Sequence, residues 1–381
     1  MLLNKARLDS LLRDSNFEVL IVGKPENAIY MTNFHPMGSR TIRDRLTYVL
    51  YFKDEGITPI VLSPSIDVGH VRELSWIPED NIVGYTEFPT GHDTGLVTDK
   101  FGYISGVLRE HGLDNATIGI EASFLSSYLM EAFQTSLPKA TLVDCSQILR
   151  TARAVKSPEE IRRLRLAAEA TEKGCRRMIE LASRGETEIR IASEAKATSM
   201  LAGAETIGFS AVGGGPRSAR VHNNPRNMPV KPGEVFRFDY GALCDGYWGD
   251  LARSYVFGRK PTPEQQRIYD TVLKAQEAAL EAVKPGVTAG EIHRVAVAAG
   301  RTVDPTLRRE HVGHGVGLEV HEEPILRAGN DMIIEPGMVL CVEVGKYVPE
   351  VGGFQVEDTV VVTESGIEVL SSLPKTLALS S

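Results

Sequence analysis

The sequence has 381 residues, of which 42% are hydrophobic and 24% charged, and its formal net charge is −8. This length allows two domains with separate cores, and the acidic charge argues against binding to a nucleic-acid backbone, which calls for a basic face. No apolar run approaches the roughly 20 residues of a membrane span, and charges near the N-terminus interrupt the apolar core of a signal peptide, so we expect a cytoplasmic protein without membrane attachment.

The first 150 residues alternate helical patterns with short apolar runs. Leu8, Leu11 and Leu12 are spaced as one face of an opening helix. Three apolar runs predict strands: residues 17–23, 47–52 and 116–120. The mixture predicts an α/β domain over residues 1–150.

A polar loop in this region, residues 35–45, contains His35, Arg40, Arg43 and Arg45. Two interpretations remain open for it. It is either a solvated loop or a loop that contacts substrate.

A helix start marks the boundary of a second domain, which we place at residues 157–381. Ser157 is a capping residue, Pro158 occupies the first helical position, and Glu160 completes a capping box. The basic residues just before it, Arg150, Arg153 and Lys156, predict a linker that lies on the surface.

Two further helix starts follow in the second domain. The sequence Thr262-Pro-Glu-Gln265 predicts the cap of a long amphipathic helix, and Thr288-Ala-Gly-Glu291 predicts the cap of the next. The sequence therefore predicts a helical segment followed by strands, and then a second helical segment followed by strands.

One ten-residue stretch occurs in two versions. Residues 232–241 read Pro-Gly-Glu-Val-Phe-Arg-Phe-Asp-Tyr-Gly, and residues 336–345 read Pro-Gly-Met-Val-Leu-Cys-Val-Glu-Val-Gly. Each version carries a carboxylate seven residues after its proline, Asp239 or Glu343, and each follows a Val-His pair, at His222 or His321. We interpret this as a duplicated half-domain with both copies facing one polar site.

The first copy predicts a β-hairpin that pairs Asp239 with Asp250. If the turn is Asp245-Gly246, Asp239 faces Ala252 and Asp250 lies diagonally beside it; if the turn is one residue earlier, the two carboxylates face each other. Either register puts both on one face within about 5 to 8 Å. A three-residue turn would separate them unless a bulge intervened.

The second copy predicts the same arrangement for Glu343 and Glu357, on a hairpin whose midpoint is Glu350. Four carboxylates at one site cannot all stay ionised without cations. Two divalent ions, about 3.5 to 4 Å apart around a bridging water, would resolve that repulsion.

A histidine should complete the ligand set, and residues 311–321 supply His311, His314 and His321. An oxygen-rich set without cysteine favours manganese, with cobalt, iron or zinc as alternatives. His293, inside a predicted helix, is interpreted as structural. The four cysteines are widely spaced and form no Cys-x-x-Cys pair, so we expect isolated thiols.

The order Asp239, Asp250, His314-Gly-Val-Gly-Leu-x-x-His321, Glu343, Glu357 closely resembles the pita-bread metallopeptidase family. That family includes Xaa-Pro aminopeptidase, prolidase, methionine aminopeptidase and creatinase. The resemblance implies an α+β pita-bread catalytic domain with internal pseudo-two-fold duplication, preceded by a creatinase N-terminal-like α/β domain. It also implies a homodimer.

The resemblance assigns roles residue by residue. Asp239 would bind one metal, Asp250 and Glu357 would bridge both, and His314 with Glu343 would bind the other. Glu343 would also act as the general base. His222 and His321 would contact substrate and stabilise the tetrahedral intermediate, and His311 and Gln355 join the candidate substrate-binding residues.

Two departures from the family pattern bear on the substrate. Proline-specific members carry arginine two residues before the last glutamate, where this chain has Gln355, and Val344 replaces the usual proline after Glu343. Three functions therefore stay open: an Xaa-Pro dipeptidase or aminopeptidase, a hydrolase or lyase acting on a small non-peptide such as an ectoine-like amide, and an inactive binding module.

Overall fold

The computed structural model describes residues 1–35, 42, 45–90 and 95–379. The chain divides into two compact units, Met1–Arg153 and Ala154–Ser381. In the described ranges, no helix is both long enough and apolar enough to cross a lipid bilayer.

The first unit is built on a mixed six-stranded sheet in the order β4-β3-β2-β1-β5-β6. Its strands are β1 (Val19–Val22), β2 (Tyr48–Phe52), β3 (Ile60–Pro64), β4 (Ile82–Tyr85), β5 (Thr117–Ile120) and β6 (Thr141–Asp144). Its helices are α1 (Lys5–Arg13), α2 (Pro25–Thr32), α3 (Val68–Leu74), α4 (Lys100–Glu110), α5 (Ser127–Ser136) and α6 (Ser146–Ala154).

The predicted α/β character of this unit is confirmed. The three predicted strands are β1, β2 and β5, and Leu8 and Leu12 of α1 are buried. Strand β1 pairs antiparallel with β2 and parallel with β5, so both of its edges are hydrogen-bonded, and all four of its residues are buried.

The polar loop at 35–45 is only partly within the described residues. Arg45 lies in them, and its Nε is 3.6 Å from Oε2 of Glu87. Arg40 and Arg43 lie outside, so its role stays an open prediction.

The second unit repeats one plan twice: two helices followed by antiparallel strands. The first half has α7 (Pro158–Ser183), α8 (Glu188–Leu201), β7 (Thr206–Gly214), β8 (Val235–Cys244), β9 (Tyr247–Trp248) and β10 (Leu251–Val256). The second half has α9 (Pro263–Ala282), α10 (Ala289–Arg301), β11 (His311–Gly315), β12 (Glu322–Arg327), β13 (Val339–Val348), β14 (Gly352–Val362) and β15 (Ile367–Val369). The strands form two sheets, β10-β8-β7 with β9 also on β8, and β12-β11-β13-β14-β15.

The predicted helix starts are confirmed in this unit. Ser157 and Thr262 each form a reciprocal capping box, with Glu160 and Gln265 respectively, and Thr288 caps α10 through the backbone N–H of Glu291. These caps satisfy backbone donors that the first helical turn leaves free.

The predicted surface linker is wrong, because two of its basic residues are buried. Arg153 donates a 2.8 Å hydrogen bond to Oδ1 of Asn27. Lys156 lies 3.1 Å from Oε2 of Glu322, with both side chains almost fully buried. Sequence composition alone did not reveal these acceptors, which are distant along the chain.

The two sheets of the second unit meet where β10 runs beside β14. Ser254 accepts a hydrogen bond from the backbone N–H of Gln355, and Thr359 donates one to the carbonyl of Asp250. Because β10 and β14 each follow a carboxylate-bearing strand, this junction brings the two hairpins to one place.

Candidate metal centre

The first hairpin places Asp239 and Asp250 as the Asp245-Gly246 turn predicts. Asp239 pairs with Ala252, and Asp245 and Gly246 have φ angles of 47° and 83°. Two successive positive φ angles are typical of the type I′ turn, whose twist suits a two-residue hairpin. The first of the two predicted registers is therefore correct, and Asp250 lies just before β10.

The second hairpin pairs Glu343 directly with Glu357. Strands β13 and β14 keep an unbroken register from Val339 to Val348, and the loop Pro349–Val351 is centred on Glu350. Like charges placed opposite one another destabilise a sheet. The sequence predicted this pairing, and it creates a need for a counter-ion.

His314 on β11 brings a nitrogen to these carboxylates. Its Nε2 lies 3.8 Å from Oδ2 of Asp250 and 3.9 Å from Oε1 of Glu343. Its Nδ1 is 3.0 Å from the carbonyl of Gly315, which accepts a hydrogen bond from the Nδ1–H tautomer. Burial lowers the pKa of His314 to about 4, so the ring is neutral and Nε2 is free to bind a metal.

Two of the carboxylates have the burial and the raised pKa values expected of an unneutralised cation site. Asp250 and Glu357 are 5% and 1% exposed, and their pKa values rise well above the usual range because of burial and the neighbouring carboxylates. Among the described residues, no hydrogen-bond donor reaches Oδ1 of Asp250 or Oε2 of Glu357. Buried oxygens without donors are suited to a divalent cation, so the donor set fits one.

Cys341 is a residue that the sequence argument placed outside the site. Donor atoms of Asp250, His314, Cys341 and Glu357 all lie within 4.8 Å of one another. Cys341 pairs with His314 across β11 and β13. The spacing of the cysteines gave no hint of this position, although strand alternation puts Cys341 on the same face as Glu343, two residues later. All four cysteines of the chain are buried and free.

Gln355 holds two of the carboxylates. Its Nε2 donates to Oδ2 of Asp239 at 3.0 Å and to Oε2 of Glu343 at 3.1 Å. Its Oε1 accepts from Nη1 of Arg237 at 2.8 Å and from the hydroxyl of Tyr347 at 3.2 Å. The amide is therefore fully used by protein groups.

Arg237 connects that amide to the segment before His222. The buried guanidinium donates to the carbonyls of Ser218, Arg220 and Val221 at 2.6 to 2.9 Å. Sequence analysis missed Arg237, although its position two residues before Asp239 puts both side chains on one face of β8.

A cavity of about 750 Å³ opens onto the carboxylates, within the usual size range of small-molecule sites. Its described lining includes Asp239, Asp250, His314, Glu343 and Glu357, the exposed residues His222 and His321, and Lys196 of α8. His311 and Gln355 are absent from that described lining.

The histidines of residues 311–321 form a cluster. The rings of His314 and His321 stack with centroids 3.8 Å apart, and Nδ1 of His311 is 3.5 Å from Oε1 of Glu343. His293 instead contacts the carbonyl of Arg309 at 2.9 Å. This contact is consistent with the structural role predicted for it.

Comparison with known proteins gives a consistent result. The model of "Metallopeptidase family M24" matches residues 162–364, and the model of "Creatinase/Prolidase N-terminal domain" matches residues 5–155. The chain is 30% identical to an Xaa-Pro dipeptidase of Lactobacillus helveticus, over 99% of both chains. It is 29% identical to one of Pyrococcus furiosus, over 98% of this chain and 99% of the relative. The solved structure of an Xaa-Pro dipeptidase from Bacillus anthracis superposes with a TM-score of 0.84 at 26% identity, over 98% of both chains.

Proposed function

The chain belongs to metallopeptidase family M24, and we propose that it is a dinuclear metal hydrolase that cleaves Xaa-Pro dipeptides. Membership of the family makes it a metallopeptidase with a creatinase-type N-terminal domain and a pita-bread catalytic domain. The number of ions and the substrate are the parts that we propose.

Five residues would hold the ions. In this proposal Asp239 serves one subsite, His314 and Glu343 serve the other, and Asp250 and Glu357 serve both. The observation that carries the proposal is the pair of buried, unpartnered oxygens on Asp250 and Glu357 among the described residues. Divalent ions bound there would supply Lewis-acid activation of the scissile carbonyl and of the attacking water.

Side chains of the protein would accept and donate the protons of the reaction. Glu343 would accept a proton from the attacking water, and Gln355 orients its carboxylate by donating to Oε2. His222 and His321, both lining the cavity, would donate hydrogen bonds to the carbonyl oxygen and to the leaving group as charge develops there.

The cavity favours a substrate with a free carboxylate. Lys196 is the only lysine or arginine in its described lining, and an ammonium group there would pair with the C-terminus of a dipeptide. Ile207, Phe209 and Val320 supply apolar surface for a proline ring. A dipeptidase is therefore preferred to an aminopeptidase acting on longer chains.

The alternative substrate class is a small non-peptide amide, or a lyase substrate. It is kept open by Gln355, which stands where proline-specific relatives carry arginine. The intact ligand set and the peptidase family argue against an inactive binding module. We also propose that manganese is the working metal and that the protein is a homodimer, which light scattering of the purified chain would test.

The test is an activity profile of the metal-loaded protein. Xaa-Pro dipeptides, Xaa-Pro tripeptides and cyclic amidines such as ectoine are assayed side by side, with manganese, cobalt or zinc added to the stripped protein. Turnover confined to the Xaa-Pro dipeptides supports the proposal. Turnover of only the cyclic amidines, or equal rates with and without metal, contradicts it.

A further inference from the structure

The thiol of Cys341 lies inside the candidate metal centre. Cys341 is fully buried on β13, two residues before Glu343, so both side chains lie on one face of the strand. It pairs with His314 on one side and with Thr359 on the other. Among the described residues, the Sγ atom of Cys341 forms a hydrogen bond with the Thr359 hydroxyl, 3.5 Å away.

The nearby donors lie only slightly farther apart than the donors of a single coordination sphere. Ligand bonds to zinc are about 2.0 to 2.3 Å, so the donor atoms around one ion lie within roughly 4.6 Å of one another. The atoms offered by Asp250, His314, Cys341 and Glu357 lie within 4.8 Å. The described oxygens without donors on Asp250 and Glu357 are a second, independent sign that an ion belongs there.

We propose that Cys341 is a sulfur ligand of the ion held by His314. This inference rests on the proposed assignment of His314 and Asp239 to different subsites. The two subsites then differ in chemistry: the His314 subsite combines sulfur, nitrogen and oxygen, whereas the Asp239 subsite has oxygen ligands.

Unlike donors give the two subsites unlike metal preferences. Thiolate and imidazole favour zinc or cobalt, whereas carboxylates alone are suited to manganese. The His314 subsite should therefore retain zinc or cobalt in the presence of manganese, while the Asp239 subsite exchanges more freely.

Cobalt(II) absorption tests this directly on the full chain. Metal-stripped protein is titrated with cobalt(II) up to two equivalents, and a near-ultraviolet sulfur-to-cobalt charge-transfer band is expected in the wild type. The band should disappear in Cys341→Ser and Cys341→Thr, which keep a small polar group beside Thr359. It should persist in Cys145→Ser, which removes a buried thiol from the other unit.

Competition binding adds a readout that does not depend on the band. The preference for zinc over manganese should fall by at least about tenfold in Cys341→Ser and stay unchanged in Cys145→Ser. Circular dichroism establishes that each variant is folded.

The possible failures are distinguishable. If the wild type binds cobalt and hydrolyses dipeptides without the charge-transfer band, Cys341 is not a ligand, while the proposed function stands. If the wild type binds no cobalt, both the sulfur ligand and the dinuclear hydrolase are overturned.

Discussion

Arg237 donates a 2.8 Å hydrogen bond from Nη1 to Oε1 of Gln355, and this bond joins the two carboxylate-bearing hairpins. Both side chains are almost fully buried. The opposite end of the Gln355 amide holds Asp239 and Glu343. The position of two candidate metal ligands therefore depends on a pair of residues that bind no metal themselves.

Replacing Gln355 by leucine should weaken metal binding. The change keeps the size of the side chain but removes both donors to the carboxylates and leaves Arg237 without its amide acceptor. Loss of such supporting hydrogen bonds reduces metal affinity by about 10- to 100-fold, measurable by competition with a chromogenic chelator.

Gln276→Leu is the matched control for that experiment. Gln276 is also buried, but it donates to Asp358 and to the carbonyl of Val342. We expect this variant to lose stability and to keep its metal affinity. Equal affinity losses in both variants would show that the effect is one of general destabilisation.

Asp250→Ala should abolish both metal occupancy and turnover, because it removes a proposed bridging ligand from a buried site.

His321→Ala should retain the metal and lose about 10²- to 10⁴-fold in kcat, as expected for a residue that assists proton transfer or oxyanion stabilisation. Metal content by atomic emission and initial rates check both. A fully active Asp250 variant would end the metal hypothesis.

Removing the metal should destabilise the protein more at pH 8 than at pH 5. Without a cation, Asp250 and Glu357 have raised pKa values in the folded state, so their contribution to stability is present at acid pH and is lost as the pH rises through those values. Metal binding needs the ionised forms and reverses this loss.

Thermal unfolding of stripped protein, with and without added manganese, measures that difference. At a free metal concentration 100 times Kd, the stabilisation at pH 8 should be about 2.7 kcal/mol for each ion bound. A shift in Tm that is the same at both pH values would mean that these carboxylates do not titrate with the metal.

Lys196→Met should raise KM for Xaa-Pro dipeptides by about fivefold, since an exposed ion pair contributes up to about 1 kcal/mol. The same dipeptides with an amidated C-terminus lack the carboxylate, and their KM should not change. Steady-state kinetics on both substrate series make the comparison. An equal rise in both series would assign Lys196 a role in shaping the cavity.

The hairpins could be predicted from sequence because local rules fix them. The Asp245-Gly246 pair specifies its turn, and strand alternation then carries Asp239 and Asp250 to one face. The spacing of Glu343 and Glu357 about Glu350 gave the second register in the same way. The four carboxylates therefore needed no tertiary information, whereas His314 was singled out from three candidate histidines by the family resemblance.

Strand alternation puts Cys341, Arg237 and Gln355 on the same faces as Glu343, Asp239 and Glu357, but it does not predict their contacts. Cys341 reaches the site through its pairing with His314, and Arg237 meets Gln355 across 118 positions of sequence. Gln355 was interpreted as a substrate contact because of its position in the family pattern. The structure assigns its hydrogen bonds to other protein groups, and its contact with substrate stays a prediction.

The turn after β8 has two residues and the loop after β13 has three, yet each delivers its acids to the same cavity. Inserting one residue into either would rotate the returning strand so that its acid faced away. A single-codon insertion at either hairpin tip would therefore be eliminated during evolution. Changes in substrate range should arise at the rim of the cavity, while the tips of the two hairpins keep a constant length.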